Sequence, residues 1–509
     1  MFENILAGFA DFLSIQNIIA VNFGMLVGIV FGAIPGISAD LGIVILLPFT
    51  FSMDPITGIL LLMSIYCGGA YGGSISSILL NTPGTNVSLA TMFDGYPLAQ
   101  KGQSKKALSM ALIASTIGGV ISAFLLLFTA PIIAEFAMKF APPEYFALAI
   151  FGLSIIAGIS GKSLAKGLLA GCLGAFVSIV GIDPSSGAAR FVFGNVELFR
   201  GFGLLPVLLG VFALPTILGK ILKKEYNVNL TSTVNYETSD ELTKEEVKRC
   251  MPTILKSSAI GVIIGAIPGA GAAIAAFFSY NEAKRTSKHP ERFGHGEIEG
   301  VAAPEAANNA VTAASFIPLL TLGIPGSVAA ATMVGAFTMQ GMIVGPTLFA
   351  QQSDILYAIM VGLIFVNLFM LLQGKYLIKF FSKLTKVPQT LLMSTLILFC
   401  IAGAFTFYNS IFDVYVFVAC GIIMYLLSKF DVPGAPFVLG MILGPLAESN
   451  LKRSLVMSEG SWAIFFTRPL SLLFLVITVL FTFYSIKKTR ELDKVAAMQF
   501  NNPQLTEED

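Results

Sequence analysis

The chain has 509 residues, of which 55% are hydrophobic and 12% are charged, and its mean hydropathy is +0.81. Soluble globular proteins carry roughly 25% charged residues, so this composition excludes an ordinary soluble enzyme and indicates an integral membrane protein. The formal net charge of +1 and the lack of a long basic block argue against a nucleic-acid partner.

Several apolar runs reach the length that crosses a hydrocarbon core, among them residues 107–134, 355–382 and 462–485. Runs of this length predict membrane-spanning helices rather than a barrel. We therefore expect an all-α polytopic membrane protein with about ten to twelve transmembrane segments, including broken helices or re-entrant hairpins.

A nine-residue stretch occurs twice, as Gly28-Ile-Val-Phe-Gly-Ala-Ile-Pro-Gly36 and as Gly261-Val-Ile-Ile-Gly-Ala-Ile-Pro-Gly269. Each copy places Gly-x-x-x-Gly, a pattern of closely packed helices, before a helix-breaking proline. A break within lipid exposes backbone groups that must face protein, water, an ion or a substrate. The repeated break predicts a transport site, with Gly36 and Gly269 as candidates for binding a coupling ion.

Residues 1–100 contain no Lys or Arg, and the first cations are Lys101, Lys105 and Lys106. The positive-inside rule places the loop that carries these lysines in the cytoplasm. The long polar interval at 220–256 is interpreted as a cytoplasmic linker between two halves. The predicted boundaries are 1–222 for the first repeat, 223–252 for the linker, 253–488 for the second repeat and 489–509 for a polar tail.

Further matches follow the same order in both halves. Leu322-Gly-Ile-Pro-Gly-Ser327 takes the place of Asn81-Thr-Pro-Gly-Thr85, and Phe437-Val-Leu-Gly440 echoes Phe191-Val-Phe-Gly194. Lys and Arg fall mostly in non-equivalent loops of the two halves, which favours inverted over parallel repeats. One observation disagrees, because the ends of both repeats are basic; an unpaired extra span in the second half would reconcile them.

The two Pro-Gly segments are the candidate substrate site. A helix break offers backbone N–H groups and a positive dipole end to a carboxylate, and free carbonyls to Na⁺. The alternative is a tight turn in a re-entrant hairpin that binds nothing. The candidate substrate ligands are Asn81, Thr82, Pro83, Gly84, Thr85, Gly323, Pro325, Gly326 and Ser327.

The segment Pro304-Glu-Ala-Ala-Asn-Asn-Ala310 adds Glu305, Asn308 and Asn309, which share one face of a helix. We expect Glu305 to bind the coupling ion and the two asparagines to bind substrate. The alternative is that Glu305 is an N-terminal helix carboxylate, with the asparagines capping or bridging segments.

Other charged residues carry weaker hypotheses. Arg190 and Arg200 could hold a multi-carboxylate substrate, although acids and bases so mixed more often form solvated pairs in an interfacial loop. Glu144 and Glu448 lie near prolines and are interpreted as loop or helix-end residues. No ATP-binding or zinc-protease motif occurs, so we expect no catalysis. A membrane-embedded enzyme or scaffold that uses the Glu305 face is the alternative from another class.

Eight motifs occur in one order along the chain. They are Gly-Ala-Ile-Pro-Gly-Ile at 32–37, Tyr-Gly-Gly-Ser at 71–74, Leu-Leu-Asn-Thr-Pro-Gly-Thr at 79–85, Asp-Gly-Tyr-Pro at 94–97, Pro-Pro-Glu-Tyr-Phe-Ala-Leu at 142–148, Arg-Phe-Val-Phe-Gly at 190–194, Ala-Pro-Glu-Ala-Ala-Asn-Asn-Ala at 303–310 and Leu-Gly-Ile-Pro-Gly-Ser at 322–327. With these motifs the sequence resembles the large membrane permease subunit of the tripartite tricarboxylate transporter family. Ala306, where that family often has Ser, is a small departure.

The resemblance implies a multi-pass carrier in the inner membrane of a prokaryote, driven by a Na⁺ or H⁺ gradient and without another cofactor. It also implies two protein partners, a small membrane subunit and a periplasmic solute-binding protein. The implied substrate is a tricarboxylate such as citrate or another small organic carboxylate. A stand-alone permease for an organic anion is the alternative within transport.

Overall fold

The computed structural model describes residues 2–34, 37–154, 156, 163–183, 186–223, 240–269, 271–384, 389–406 and 408–483. Within these ranges the chain is helical except for short loops and one antiparallel pair, β1 (Gly181–Ile182) with β2 (Ala189–Arg190). The predicted all-α class is confirmed.

The helices are α1 (Phe2–Phe12), α2 (Ile15–Ala33), α3 (Ala39–Leu46), α4 (Pro55–Leu80), α5 (Leu89–Gln100), α6 (Ser104–Ala137), α7 (Pro142–Ser154), α8 (Leu164–Ser178), α9 (Leu204–Leu208), α10 (Leu214–Lys223), α11 (Lys244–Ala266), α12 (Gly271–Thr286), α13 (Ile298–Ala314), α14 (Phe316–Leu322), α15 (Val328–Met339), α16 (Pro346–Gln351), α17 (Ser353–Leu384), α18 (Gln389–Thr406), α19 (Ile411–Ser428), α20 (Gly434–Met457), α21 (Ile464–Thr467) and α22 (Pro469–Phe483). A π-helical turn, Leu209–Ala213, joins α9 to α10. The 3-10 turns are Leu47–Ser52, Asn86–Ser88, Val196–Arg200 and Pro290–Arg292.

Six helical stretches in the described ranges are long and apolar enough to cross a membrane. They are Ile15–Ala33, Pro55–Leu80, Ser104–Ala137, Leu204–Leu222, Ser353–Tyr376 and Ile411–Ser428. Shorter apolar helices include α8, α15 and α22. The predicted span at 462–485 is wrong as one helix, because α21 ends at Thr467 and α22 begins at Pro469. Proline cannot continue a helix without losing a backbone hydrogen bond.

The described helices group into two compact units, Met1–Met138 with Leu204–Val418, and Lys139–Gly203 with Ala419–Asp509. Each unit therefore combines two segments that are separated in the sequence. The boundaries predicted from the sequence for the two repeats stay a prediction, and residues 224–239 and 484–509 lie outside the described residues. In the first unit, 94% of the most apolar 18-residue stretch of α4 is buried. Helix α4 is therefore a core helix.

The predicted close approach of the Gly-x-x-x-Gly helices is confirmed in the first unit. Helix α2 lies against α4 so closely that a Cβ added at Gly28 or Gly32 would stand 2.4 or 2.3 Å from a carbonyl oxygen of α4. Helix α11 lies against α13 in the same way, with a Cβ at Gly261 only 2.4 Å from the Ala307 carbonyl oxygen. Glycine is required here because any side chain would push the helices apart.

The C-terminal part of the linker contacts the lysine-bearing loop at 101–106, which the sequence places in the cytoplasm. Lys105 pairs with Glu241, and Lys106 pairs with Glu246 at 2.9 Å. The Lys105 ammonium group holds the pKa of the Glu241 carboxyl below its usual range. These contacts join the 101–106 loop to the segment before α11 and to the first turn of that helix.

In the second unit, α8 packs against α20 through small residues. The glycines Gly171 and Gly440 face each other, and Gly174 lies against the carbonyl oxygen of Phe437. Phe437 to Gly440 are helical, whereas Phe191 and Phe193 lie in a loop with φ of 52° and 46°. The sequence match between these segments is therefore wrong as a structural equivalence.

Candidate functional site

Helix α13 runs through the interior of the first unit, where every residue from Gly300 to Ala314 is buried. It packs against α5, α6, α11 and α12. Glu305 and the two asparagines lie in the middle of this helix. The alternative that Glu305 is an N-terminal helix carboxylate is wrong, because about two turns of helix precede it.

The Glu305 carboxyl group is fully buried and is held by hydroxyl groups. Thr91 on α5 donates a hydrogen bond of 2.5 Å to Oε1, and Ser115 on α6 donates one of 3.0 Å to Oε2. Among the described residues, no side chain of Lys, Arg or His lies within 4.0 Å of this carboxyl. A carboxyl buried without a paired cation is costly, and within a membrane protein it marks a candidate ion site.

Asn309 follows Glu305 by four residues, on the same face of α13. It is fully buried, and neither its Nδ2 nor its Oδ1 atom has a hydrogen-bond partner among the residues that the structure describes. Leaving a buried amide unpaired costs about 1–3 kcal/mol per group, so such groups are rare in native proteins. The Asn309 amide therefore offers a donor and an acceptor to a ligand.

Asn308 has a different environment from Asn309. Its Nδ2 atom donates a hydrogen bond of 3.1 Å to the carbonyl oxygen of Ala70, in the middle of α4. This contact ties α13 to α4 and agrees with the bridging role that the sequence left open for an asparagine.

The first Pro-Gly segment joins α4 to the 3-10 turn at Asn86–Ser88. Helix α4 ends at Asn81, whose φ of 52° is left-handed, and Asn81 is exposed. Gly84 is buried against α2, where a Cβ would stand 2.1 Å from the Gly32 carbonyl oxygen. The Thr85 N–H donates to the Ser88 hydroxyl at 3.3 Å, which caps the turn.

The second Pro-Gly segment joins α14 to α15 and, like the first, follows a helix that ends at a residue with left-handed backbone. Gly323 ends α14 with a φ of 75°, and Ser327 caps α15 by accepting a hydrogen bond of 3.1 Å from the Ala330 N–H. Residues 323–326 are all buried. Gly326 lies near Gly265 of α11, as Gly84 lies near Gly32 of α2. Each Pro-Gly segment thus packs on the helix of its own half that carries the Gly-x-x-x-Gly pattern.

The predicted ion ligand Gly269 lies next to the second Pro-Gly segment. Its N–H donates a hydrogen bond of 3.2 Å to the Gly326 carbonyl oxygen, so that N–H and that carbonyl satisfy each other. Gly36, its counterpart in the first half, lies outside the described residues.

A chain of hydroxyl groups links the second Pro-Gly segment to α13. Tyr66 on α4 donates to Ser327 at 3.4 Å, and Ser327 donates to Ser315 at 3.5 Å. Ser315 donates to the Thr312 carbonyl, and Thr312 donates to the Asn309 carbonyl at 2.6 Å. The candidate substrate segment and the candidate ion face therefore share one polar network.

Sequence reasoning missed the role of Asp94, which it noted only within the Asp-Gly-Tyr-Pro motif. The Asp94 side chain is fully buried in the middle of α5. Its Oδ1 accepts hydrogen bonds of 2.8–2.9 Å from the N–H groups of Gly294, Gly296 and Glu297, and Tyr280 donates to Oδ2 at 2.9 Å. Its four donors come from a distant part of the chain, so no local signal in the sequence could identify them.

Asp94→Ala should destabilise the protein by at least about 3 kcal/mol, because three N–H groups lose their acceptor at about 1 kcal/mol or more each. Thermal unfolding of the purified protein in detergent measures this loss. Tyr280→Phe removes one donor of the same cluster and should cost about 1 kcal/mol. Equal melting temperatures for Asp94→Ala and wild type would contradict this role.

The charged residues singled out in the second unit form ion pairs. Arg190 contacts Asp183 at 2.6 Å and Glu448 at 2.8 Å, and Lys452 also pairs with both carboxylates. This agrees with the interpretation of Arg190 as a member of a paired cluster. The helix-end prediction is wrong for Glu448, which lies inside α20 despite Pro445.

The other two residues singled out in this unit also have partners. Arg200 pairs with Glu197 at 3.0 Å. Glu144 lies in the first turn of α7, as predicted, and pairs with Arg468 at 2.6 Å. The Arg200–Glu197 pair agrees with the alternative of solvated pairs in an interfacial loop.

Comparison with known proteins identifies the family. Residues 18–439 match the family model described as the tripartite tricarboxylate transporter TctA family. The chain belongs to this family. TctA proteins are transporters, so this TctA protein is a transporter and not an enzyme, and its family is that of a tripartite carrier system.

Two relatives come from Agrobacterium vitis. An uncharacterised 52.8 kDa protein in the TAR-I ttuC' 3' region is 37% identical over 472 residues, which cover 92% of this chain and 93% of that protein. An uncharacterised protein in the TAR-II ttuC' 3' region is 39% identical over 235 residues, which cover 45% of this chain and 97% of that protein. No solved structure matches the chain.

Proposed function

We propose that this TctA protein is the large permease of a binding-protein-dependent carrier that uses a cation gradient to take up a tricarboxylate or another small organic carboxylate. The proposed location is the inner membrane of a prokaryote. The observation that carries the proposal is the Glu305 face of α13. Within the described part of the chain, its buried carboxyl has no paired cation and lies one turn from an amide without a hydrogen-bond partner.

The Glu305 face has the ligands that a coupling cation needs. Na⁺ is a hard cation that prefers oxygen ligands, and Glu305, Thr91, Ser115 and Asn309 supply carboxylate, hydroxyl and amide oxygens. A proton would instead reside on Glu305 itself. In either case the cation offsets the cost of a buried negative charge, so cation binding and the carboxyl's charge state are linked.

The substrate site in this proposal is formed by the Pro-Gly segments at 81–85 and 323–327, with Asn308 and Asn309. The start of α15 at Ser327 directs a positive dipole end and backbone N–H groups toward the second segment, which suits a carboxylate. The hydroxyl chain from Tyr66 to Thr312 connects that segment to the Glu305 face. Cation binding at α13 would thereby stabilise one arrangement of the substrate segment.

The proposed partners are a small membrane subunit and a periplasmic solute-binding protein that delivers the substrate. Family membership supports both partners, since the family is named for a three-part carrier. The coupling ion, Na⁺ or H⁺, is the only additional component proposed.

Uptake of radiolabelled carboxylates, including citrate, into proteoliposomes tests this proposal. The chain is reconstituted with and without its candidate small subunit and binding protein. We expect uptake of at least one carboxylate only when the binding protein is present. Uptake by the chain alone would instead support a stand-alone permease, and no uptake of any carboxylate by the folded complex would contradict the carrier proposal.

A further inference from the structure

A basic cavity of about 570 Å³ lies in the first unit, away from the Glu305 face. It is formed by the N-terminal half of α11, the C-terminal end of α12 and the loop that leads to α13. Its charged lining consists of Arg249, Lys256, Lys288, Arg292, Glu297 and Glu299, and His289 lies beside them. Four permanent cations therefore face two carboxylates in one cleft, which favours an anionic ligand.

Two of the four cations are engaged by carboxylates and two are not. Arg249 pairs with Glu297 at 2.7 Å, and Lys256 pairs with Glu282 at 2.5 Å. Among the described residues, no carboxylate oxygen lies within 4.0 Å of the side-chain nitrogens of Lys288 or Arg292. Lys288 and Arg292 are therefore the cations that remain for a ligand.

The two helices that form the cavity also carry exposed apolar side chains. On α11 these are Leu255 and Ile263, which are 50% and 64% exposed. On α12 they are Ile274 and Phe278, at 45% and 56%. Such exposed apolar faces in a membrane protein contact acyl chains. The cavity thus lies where an apolar, lipid-facing surface meets a basic, cytoplasmic surface.

The loop side of the cavity is held in place by Asp94. Glu297, which lines the cavity, donates its N–H to Asp94 Oδ1 at 2.8 Å, and Gly294 and Gly296 do the same. Arg292 lies two residues before this anchored turn. The Arg292 side chain therefore projects from a backbone that these hydrogen bonds hold in place.

We propose that this cavity binds the phosphate group of an anionic phospholipid, with Lys288 and Arg292 as its main contacts and the acyl chains along α11 and α12. Basic pockets between helices at the cytoplasmic surface are suited to such headgroups, since each cation near the surface contributes attraction to anionic lipid. A free phosphate ion shares the headgroup chemistry but gains nothing from the apolar faces. The lipid is therefore the favoured source of the phosphate.

The test measures lipid binding by the full-length protein in detergent, using native mass spectrometry with added phosphatidylglycerol or zwitterionic phosphatidylethanolamine. We expect wild type to retain phosphatidylglycerol in preference to phosphatidylethanolamine. In the double variant Lys288→Gln, Arg292→Gln, the affinity for phosphatidylglycerol should fall by about tenfold or more. Lys248→Gln, Lys284→Gln is the matched control, because it removes two exposed cations nearby that do not line the cavity.

The possible outcomes test two points separately, whether the cavity binds an anion and whether that anion is a phospholipid. Equal phosphatidylglycerol binding by wild type and the Lys288→Gln, Arg292→Gln variant would overturn the proposal, and so would an equal loss in the matched control. In a parallel arm, inorganic phosphate is added as a competitor. Phosphate that stabilises wild type against heat, without any bound phosphatidylglycerol, would overturn the lipid as the source. Thermal unfolding of each variant without lipid checks that it is folded.

Discussion

Glu305→Gln should abolish gradient-driven accumulation of substrate in proteoliposomes while leaving substrate exchange across the membrane intact. Glutamine keeps the size of the side chain and can still contact Thr91 and Ser115, so the packing of α13 is preserved. It cannot carry the negative charge that a bound Na⁺ or a transferred proton requires. The variant should therefore bind and exchange substrate but lose its response to an imposed cation gradient.

The measurement compares accumulation under a Na⁺ or H⁺ gradient with exchange between equal substrate concentrations inside and outside. Glu291→Gln is the control, since Glu291 is an acidic residue whose side chain is 66% exposed. That variant should behave like wild type in both assays. Normal gradient-driven accumulation by Glu305→Gln would remove Glu305 from the coupling site.

Alanine substitutions at the Pro-Gly segments should impair uptake in a graded order. At Gly84 a Cβ would stand 2.1 Å from the Gly32 carbonyl oxygen and 2.6 Å from the Ser76 hydroxyl, so the backbone must move. At Gly326 the nearest atom is the Ser315 carbonyl oxygen at 2.9 Å, a smaller overlap. We expect uptake to fall by more than about tenfold in Gly84→Ala and by less in Gly326→Ala, because small displacements of a binding segment have large effects on rate.

Gly219→Ala is the matched control, since no atom of the described residues lies within 4 Å of the position that its Cβ would occupy. It should leave uptake unchanged. Membrane insertion of all three variants is checked by surface labelling and by elution of the purified protein as a single species. Full uptake by Gly84→Ala would mean that this segment tolerates displacement and does not shape the substrate site.

The features that could be predicted from the sequence depend on local spacing. Gly-x-x-x-Gly places two glycines on one helix face, so the close contacts of α2 and α11 follow directly from the pattern. The breaks after Leu80 and Leu322 follow from proline and glycine chemistry. The shared face of Glu305 and Asn309 follows from helical periodicity. Each of these depends on residues within a few positions of one another.

The features that could not be predicted depend on contacts between distant segments. Thr91 and Ser115 are ordinary helix residues in the sequence, and only the packing of α5 and α6 on α13 makes them partners of Glu305. The match of Phe437 with Phe191 failed because the same residue types pack in a helix in one place and lie exposed in a loop in the other. A match of a few residues does not determine backbone conformation, because the contacts with the rest of the fold also decide it.

The most direct test of cation coupling begins with proteoliposomes that contain the permease with its small subunit and binding protein and hold equal concentrations of a transported carboxylate on both sides. A Na⁺ or H⁺ gradient is then imposed, and net movement of the carboxylate is measured for wild type and Glu305→Gln. We expect wild type to accumulate the carboxylate against its own gradient in response to one of the two cations and Glu305→Gln not to do so. Equal concentrations that persist in wild type under both gradients would contradict cation coupling through the α13 face.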